Sequence, residues 1–149
     1  MSTKPQAPHH VGLTVADYPL AEKRPDLVTT TKGTGLADLT LEAVEAGEID
    51  MHDLRITPAA LLMQAEIAEA AGRQKLAENF RRAADLVNIP QELLLQVYDL
   101  LRPGRAKSKA ELLAAAERLR RDYDAGRIAA FIEEAADVYE RRNLFTYRF

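Results

Sequence analysis

Histidine and carboxylate side chains are the groups in this sequence that could act as metal ligands or general bases. His52 is flanked by three acidic residues, Glu48, Asp50 and Asp53. Imidazole beside carboxylates fits either role. Acidic residues near the start of a helix are explained more simply by capping and by the helix dipole. We therefore predict that His52 has no catalytic or metal-binding role.

The remaining candidates for metal or redox chemistry are weaker. His9 and His10 are adjacent in a proline-flanked segment, and two neighbouring side chains cannot close a metal site without further ligands. The sequence contains no cysteine, so disulfides and thiolate sites are excluded. We predict a solvated segment at the histidine pair and no metal site in this chain.

Two further patterns could indicate catalysis or phosphate binding. Carboxylates lie close together at Glu133-Glu134 and at Asp122/Asp124, but neither pair has a nucleophile or base at a recognisable spacing. The stretch Gly33-Thr34-Gly35 lacks the preceding strand and the third glycine of a phosphate-binding loop. We therefore predict solvated helix faces, and we assign no catalytic or cofactor-binding residue.

Basic residues form two clusters that raise the question of nucleic-acid binding. The nearest aromatic residue, Tyr123, fits a helix core, so no platform for base stacking is evident. The net charge of −3 provides no overall attraction to phosphate. We expect a solvated or partner-facing surface. The clusters are Arg102, Arg105, Lys107 and Lys109, and then Arg118, Arg120, Arg121 and Arg127.

Proline usage divides the 149-residue chain into an extended part and a helical part. Four of the seven prolines lie in the first 25 residues, where each fixes φ and favours an extended predecessor. We predict an arm over residues 1–37, docked on a partner or partly disordered, and a helical domain over residues 38–149. No signal peptide and no apolar run of about 18 residues is visible. These features predict a cytoplasmic protein.

Capping residues and apolar stripes predict the helices of residues 38–149. Thr40, Thr57 and Ser108 are expected N-caps, and Pro58 fits a first helical position. Apolar residues recur at helical spacing and no stretch alternates as a strand does. The fold class is therefore all-α, a small helical bundle. The expected inward stripes are Leu61/Leu62/Ala65/Ala68, Leu76/Phe80/Ala83/Val87, Leu93/Leu94/Val97/Leu100/Leu101, Leu112/Ala116/Leu119/Tyr123 and Ile128/Phe131/Ile132/Ala135/Tyr139.

Two segments, one in the arm and one at the C-terminal end, contain more apolar residues than is usual for chain ends that contact no partner. The arm contains Asp17-Tyr18-Pro19-Leu20, and ordering such a segment costs on the order of 1–2 kcal/mol per residue in backbone entropy. The tail, residues 144–149, is aromatic, whereas a terminus is normally frayed and polar. We predict contact with a partner, or for the tail with a groove on this bundle. The interface candidates are Tyr18, Pro19, Leu20, Phe145, Tyr147 and Phe149.

Several segments together resemble the small subunit of the adenosylcobalamin-dependent diol and glycerol dehydratases. The resemblance runs from Asp17 to about Asn143, and it covers most of the chain. Its most specific segments are Asp17-Tyr18-Pro19-Leu20, Asp53-Leu54-Arg55-Ile56-Thr57-Pro58, Ala71-Gly72-Arg73, Asn79-Phe80, Arg82-Ala83-Ala84-Asp85-Leu86, Leu101-Arg102-Pro103, Ala129-Ala130-Phe131 and Tyr139-Glu140-Arg141.

The resemblance implies a non-catalytic structural subunit in a dimer of heterotrimers. The partners would be a large barrel subunit, which holds the substrate and a metal ion, and a medium subunit. Adenosylcobalamin would lie between those two subunits, and the complex would dehydrate 1,2-diols to aldehydes by a radical route. This chain would bind neither cofactor nor metal, and it lacks the Asp-x-His-x-x-Gly pattern associated with cobalamin binding.

Other readings of the sequence remain open at this stage. A free-standing helical adaptor or nucleic-acid-binding protein is the alternative, and an enzyme that uses His52 ranks behind it. Some family members have an amphipathic N-terminal extension linked to bacterial microcompartments, whereas Met1 to Ala16 is short and polar here. This difference puts microcompartment packaging through this subunit in doubt. Capping does not require Arg55, so it joins the interface candidates.

Overall fold

The structure, a computed structural model, describes residues 12–146, and α-helices make up most of this range. Three short 3₁₀ turns, at Val15–Asp17, Pro25–Leu27 and Leu36–Asp38, accompany the early helices. The helices are α1 (Leu20–Lys23), α2 (Leu41–Glu45), α3 (Pro58–Ala70), α4 (Gln74–Leu86), α5 (Gln91–Leu100), α6 (Lys109–Tyr123) and α7 (Gly126–Arg141).

The all-α fold class is confirmed. Within residues 12–146 there is no β-strand, and an isolated bridge joins Thr29 to Gly35. No helix in this range is long and apolar enough to cross a membrane.

Hydroxyl side chains fix the starts of three helices. Thr40, Thr57 and Ser108 each have extended backbone geometry before α2, α3 and α6. Each hydroxyl oxygen accepts a hydrogen bond from a backbone N–H three residues later, at 3.2, 3.1 and 3.4 Å respectively. These bonds satisfy amide groups that have no partner inside the helix. The three predicted N-caps are confirmed.

The chain divides into two compact units, and the boundary falls between Ala84 and Asp85. This division differs from the predicted boundary at residue 37, and α1 (Leu20–Lys23) lies before that boundary. The arm and domain ranges therefore stay an interpretation of chain organisation. The two units are described separately below.

In the first unit, the arm packs against α3. Leu13 and Leu20 are buried with Met63 and Ile67 in one apolar cluster. The backbone N–H of Leu13 also donates to Glu66 Oε2 at 3.1 Å. Residues 13–28 therefore bury apolar surface against their own chain, and this contact offsets part of the entropy cost of ordering the arm.

Small residues make the contact between α3 and α4. Ala65, Ala68 and Ala77 form a buried cluster. Gly72 ends α3 with a φ of +72°, a left-handed conformation that side chains with a Cβ rarely adopt. The predicted α4 stripe Leu76/Phe80/Ala83/Val87 is only half-buried, and Leu62 of α3 is 37% exposed. Leu76 and Phe80 pack against the alanine cluster, so the α4 stripe faces inward in part, whereas the prediction was wrong for the exposed Leu62.

The second unit is built around α6 and α7. Leu112, Leu119 and Ile132 are its largest fully buried side chains. The predicted α6 stripe is confirmed, with Tyr123 half-buried at its end. On α7 the buried residues are Ala129, Ile132 and Ala136, whereas Phe131 is 40% exposed. The prediction that Phe131 faces inward was therefore wrong.

Asp85 links the end of α4 to the start of α7. Ala125 precedes α7 and its side chain forms no cap hydrogen bond. Asp85 Oδ2 instead accepts hydrogen bonds from the backbone N–H groups of Arg127 at 2.8 Å and Ile128 at 3.2 Å. The Arg127 guanidinium lies 3.0 Å from Asp85 Oδ1. A carboxylate distant in sequence thus caps α7.

Candidate interface residues

The Tyr18-Pro19-Leu20 segment presents its three side chains differently. Tyr18 is 57% exposed, Pro19 is half-buried, and Leu20 is buried in the arm cluster. Tyr18 is therefore accessible to a partner, whereas Leu20 holds the segment on α3. Contact with a partner stays a prediction for this segment. The candidate residues are now Tyr18, which is exposed, and Pro19, which is half-buried.

Tyr18 lies at the edge of a groove of about 270 Å³ in the first unit. Val15 and Tyr18 form the arm side of the groove. Its α3 and α4 side is mainly apolar, with Ile67, Ala68, Leu76 and Phe80, and Arg73 also lines it. The groove has the size and polarity to accept one or two apolar side chains.

The aromatic tail is partly described. Phe145 packs against the core of the second unit, and its ring lies 6.1 Å from the ring of Tyr139. The backbone N–H of Gly104 donates to the Leu144 carbonyl at 3.0 Å. Phe145 thus occupies a groove on its own bundle, one of the two placements expected for the tail. Tyr147 and Phe149 lie outside the described residues.

Arg55 is exposed in a segment of unusual composition. Among residues 12–146, neither a hydrogen bond nor an ion pair involves its guanidinium. The same segment, residues 41–56, exposes five large apolar side chains that sequence reasoning did not select. These are Leu41, Val44, Met51, Leu54 and Ile56, with exposed fractions between 47% and 78%.

The carboxylates of Asp50 and Asp53, next to His52 in sequence, accept hydrogen bonds from backbone N–H groups. The backbone N–H of His52 donates to Asp50 Oδ1 at 2.7 Å, and that of Asp53 donates to the same oxygen at 3.2 Å. These bonds hold the pKa of Asp50 below its ordinary value, with a smaller contribution from Lys32. His52 itself is exposed. This arrangement supports the capping interpretation of the acidic group.

A buried carboxylate fastens the arm to the turn before α3. Asp53 is 3% exposed, and its Oδ2 accepts hydrogen bonds from Lys32 Nζ at 2.7 Å and from the backbone N–H of Asp50 at 3.0 Å. The bond to Asp53 raises the pKa of Lys32, and Asp50 adds to the effect. Asp53 Oδ1 is buried without a hydrogen-bond partner among the described residues. The interaction positions residues 50–56 against the arm.

The two basic clusters are neutralised by acids of the second unit. Within the described range, each member except Lys107 forms an ion pair, so the clusters offer little free positive charge for phosphate. Hydrogen bonds to Asp137 and Glu133 raise the pKa values of Lys109 and Arg120 respectively. The pairs are Arg102–Asp99, Arg105–Asp99, Lys109–Asp137, Lys109–Glu140, Arg118–Asp122, Arg120–Glu117, Arg120–Glu133, Arg121–Asp122 and Arg127–Asp85.

The part of the chain that the structure describes also lacks a metal-binding arrangement. No group of three or more histidine, cysteine, aspartate or glutamate side chains within residues 12–146 could hold a metal ion. The groove at Tyr18 lies below the range of about 300–1,000 Å³ of pockets for drug-sized ligands.

Comparison with known proteins gives consistent matches over most of the chain. A family model described as "Dehydratase small subunit" matches residues 13–146. The propanediol dehydratase small subunit of Citrobacter freundii is 48% identical over 131 residues, which are 87% of this chain and 76% of that protein. The propanediol dehydratase small subunit of Salmonella typhimurium strain LT2 is also 48% identical over 131 residues, which are 87% of this chain and 75% of that protein. Neither relative is described as an adaptor or a nucleic-acid-binding protein.

Proposed function

Because the chain belongs to the dehydratase small-subunit family, we propose that it is a small, non-catalytic structural subunit of a diol dehydratase complex. The observation that carries this proposal is the 48% identity to propanediol dehydratase small subunits over 87% of the chain. The catalysed reaction is the dehydration of a 1,2-diol, propane-1,2-diol or glycerol, to an aldehyde.

The proposed complex contains a large and a medium subunit as partners, arranged as a dimer of heterotrimers. We assign adenosylcobalamin and the metal ion to those subunits. Adenosylcobalamin exceeds a drug-sized ligand, so the 270 Å³ groove at Tyr18 does not fit it. This chain would contribute contacts that stabilise the complex. Tyr18, Pro19, Arg55, Tyr147 and Phe149 are the proposed contact residues.

Reconstitution of activity tests this function. The large and medium subunits are purified with and without this chain, and aldehyde formation from propane-1,2-diol is measured in the presence of adenosylcobalamin. We expect the chain alone to be inactive and the three-subunit preparation to be more active, or active for longer, than the two-subunit preparation. Equal activity and equal lifetime of the two preparations would contradict the proposal.

His52 provides a control within the same assay. The His52→Ala substitution removes the one exposed imidazole that sequence analysis considered for catalysis. We expect complex containing His52→Ala to keep the activity of the wild-type complex. Loss of activity without loss of assembly would restore His52 as a catalytic candidate and would contradict a purely structural role.

A further inference from the structure

The exposed side of α5, in the second unit, carries an open depression. Leu95, Gln96, Asp99 and Leu100 line it. Leu95 is 58% exposed, whereas Leu100 is half-buried and packs against the core of the unit. The depression therefore combines two apolar side chains with one amide and one carboxylate.

The tail begins beside the C-terminal end of α5. The backbone N–H of Gly104 donates to the Leu144 carbonyl at 3.0 Å. The hydroxyl of Tyr139 donates to the Leu101 carbonyl. Phe145 packs against the core of the same unit, with its ring 6.1 Å from that of Tyr139. These contacts hold the start of the tail next to the turn that follows α5.

The turn after α5 connects the start of the tail to the depression. The backbone N–H of Arg102 donates to the Asp99 carbonyl, and that of Arg105 donates to the Arg102 carbonyl, both at 3.0 Å. The side chain of Arg105, which follows Gly104, lies 3.6 Å from Asp99 Oδ1. The Leu144 carbonyl is therefore held within one tight turn of a residue that lines the depression.

The next residues of the sequence can reach this depression. Thr146 is the last described residue, and the sequence continues with Tyr147, Arg148 and Phe149. Tyr147 is three residues beyond Leu144, and three extended residues span up to about 10 Å. Groups joined by so short a stretch of chain meet at an effective concentration on the order of millimolar, so a weak contact is enough to dock them.

Tyr147 is the tail residue whose chemistry matches the depression. A tyrosine ring is apolar, and its hydroxyl is a polar tip that needs a hydrogen-bond partner when it is buried. Leu95 and Leu100 offer apolar surface to the ring. Both ion pairs of Asp99 among the described residues use Oδ1, so Oδ2 can accept a hydrogen bond from the hydroxyl. Phe149 has a ring but lacks the hydroxyl.

We propose that Tyr147 of the same chain fills the depression on α5, with its ring on Leu95 and Leu100 and its hydroxyl donating to Asp99. Docking of Tyr147 orders the tail before any partner binds, and so it lowers the entropy cost of the partner contacts proposed above for the tail. The inference concerns the chain by itself, so it can fail while the proposed function stands.

An engineered disulfide measures this docking in the full chain. The sequence contains no cysteine, so Gln96→Cys and Arg148→Cys introduce the only two thiols. A disulfide requires the two Cα atoms to approach within about 7 Å, and these substitutions leave Tyr147, Leu95 and Asp99 in place. The rate of disulfide formation in a glutathione buffer is followed by mass spectrometry on the purified chain without other subunits. Circular dichroism checks the helix content of every variant.

Tyr147→Ala and its matched control Phe149→Ala are compared in this two-cysteine chain. We expect Tyr147→Ala to slow disulfide formation about tenfold and Phe149→Ala to change it by less than about twofold, because docking raises the local concentration of the tail thiol at α5. Equal rates in the three chains would overturn the inference, as would equal slowing by the two variants. A dependence on Tyr147 that arises only after other dehydratase subunits are added would assign the depression to a partner and would also overturn it.

A second pair of variants in the same two-cysteine chain tests the depression itself. Leu95→Ala removes apolar surface under the proposed ring position. Tyr98→Ala is its matched control, because Tyr98 is 68% exposed on the same helix and is not one of the four lining residues. We expect Leu95→Ala to slow disulfide formation about fivefold and Tyr98→Ala to stay within about twofold of the parent chain. Equal rates for Leu95→Ala and the parent chain would contradict docking at this place.

Discussion

Asp85 shows how one carboxylate can hold a helix start that local sequence leaves uncapped. Residues 82–86 are one of the segments that resemble the dehydratase small subunits. The local sequence around Asp85, however, does not predict what its side chain contacts at the end of α4. Its partners, the backbone N–H groups of Arg127 and Ile128, are more than 40 residues away. Thr57 and Ser108 could be predicted as caps because their partners are three residues away. A cap that depends on tertiary packing could not.

We predict that Asp85→Ala destabilises the chain by about 1–2 kcal/mol, since two amide groups of α7 lose their acceptor and the helix dipole loses a negative charge. Asp85→Asn is the matched control, because an amide oxygen still accepts one hydrogen bond. We expect it to lose less than the alanine variant. Urea unfolding followed by circular dichroism measures both, and an alanine variant as stable as wild type would refute the capping role.

The stability contributed by Asp50 should depend on pH in a defined direction. Backbone hydrogen bonds from His52 and Asp53 lower its pKa in the folded chain. The stabilisation is therefore present above the unfolded pKa of about 3.9 and is lost as the pH falls through the lower folded value. Lys32, whose pKa is raised, contributes below about pH 10.4 and loses its contribution as the pH rises through the raised value.

We accordingly predict that Asp50→Ala has a lower Tm than wild type at pH 7 and that the difference shrinks as the pH falls below the unfolded pKa and through the lowered folded value. Asp38→Ala removes an exposed carboxylate without such hydrogen bonds and serves as the control, for which we expect a smaller Tm difference at pH 7. Thermal melts at several pH values measure both. A Tm difference for Asp50→Ala that stays constant down to low pH would contradict this assignment.

At the scale of elements, helix positions were more predictable than the faces the helices bury. Caps and prolines located the starts of α2, α3 and α6, because these signals act within one turn. The predicted stripe of α4 contained Leu76 and Phe80, which are half-buried beside Ala77, and the predicted stripe of α7 contained Phe131, which is exposed. The structure buries Ala77, Ala129 and Ala136 there, because small residues allow helices to approach closely. Sequence periodicity cannot identify which alanines make such contacts.

The turn between α3 and α4 should require glycine at position 72, because the backbone there has a positive φ. Gly72 has a φ of +72°, and a Cβ added there would meet nothing within 4 Å, so strain alone determines the effect of substitution. We predict that Gly72→Ala destabilises the chain by about 1–2 kcal/mol. Gly126→Ala, at the first position of α7, also has free space and no positive φ, and we expect no loss. Equal stability of the two variants by urea unfolding would contradict the role given to Gly72.

Leu20 and Tyr18 of the arm should have different roles, Leu20 in the stability of the chain and Tyr18 in binding the other subunits. Leu20→Ala removes a buried side chain from the cluster with Met63 and Ile67, so we predict a loss of about 2 kcal/mol or more. Tyr18→Ala removes a mostly exposed ring and should change stability by less than about 0.5 kcal/mol while weakening capture of the other subunits. Unfolding and capture are measured on both variants. If the Tyr18→Ala variant captured the other subunits as well as wild type does, Tyr18 would not be a contact residue.

At the scale of the whole molecule, the sequence was sufficient to place the chain in its family and fold class. The arm, by contrast, was expected to dock on a partner or to be partly disordered, and residues 13–28 pack on α3 of the same chain. The exposure of Leu41, Val44 and Met51 was not anticipated, because they read as ordinary helix and turn residues. Their exposure follows from tertiary packing, with Ile49 taking the buried position. Exposed apolar side chains of this kind become visible only once the fold is known.

The most direct test of the account is the composition of the complex that this chain forms. A tagged copy is co-expressed with untagged large and medium dehydratase subunits, purified through the tag, and analysed by native mass spectrometry. The account predicts one species that contains all three subunits in equal numbers. Recovery of the tagged chain without the other two subunits would contradict a structural role in a dehydratase.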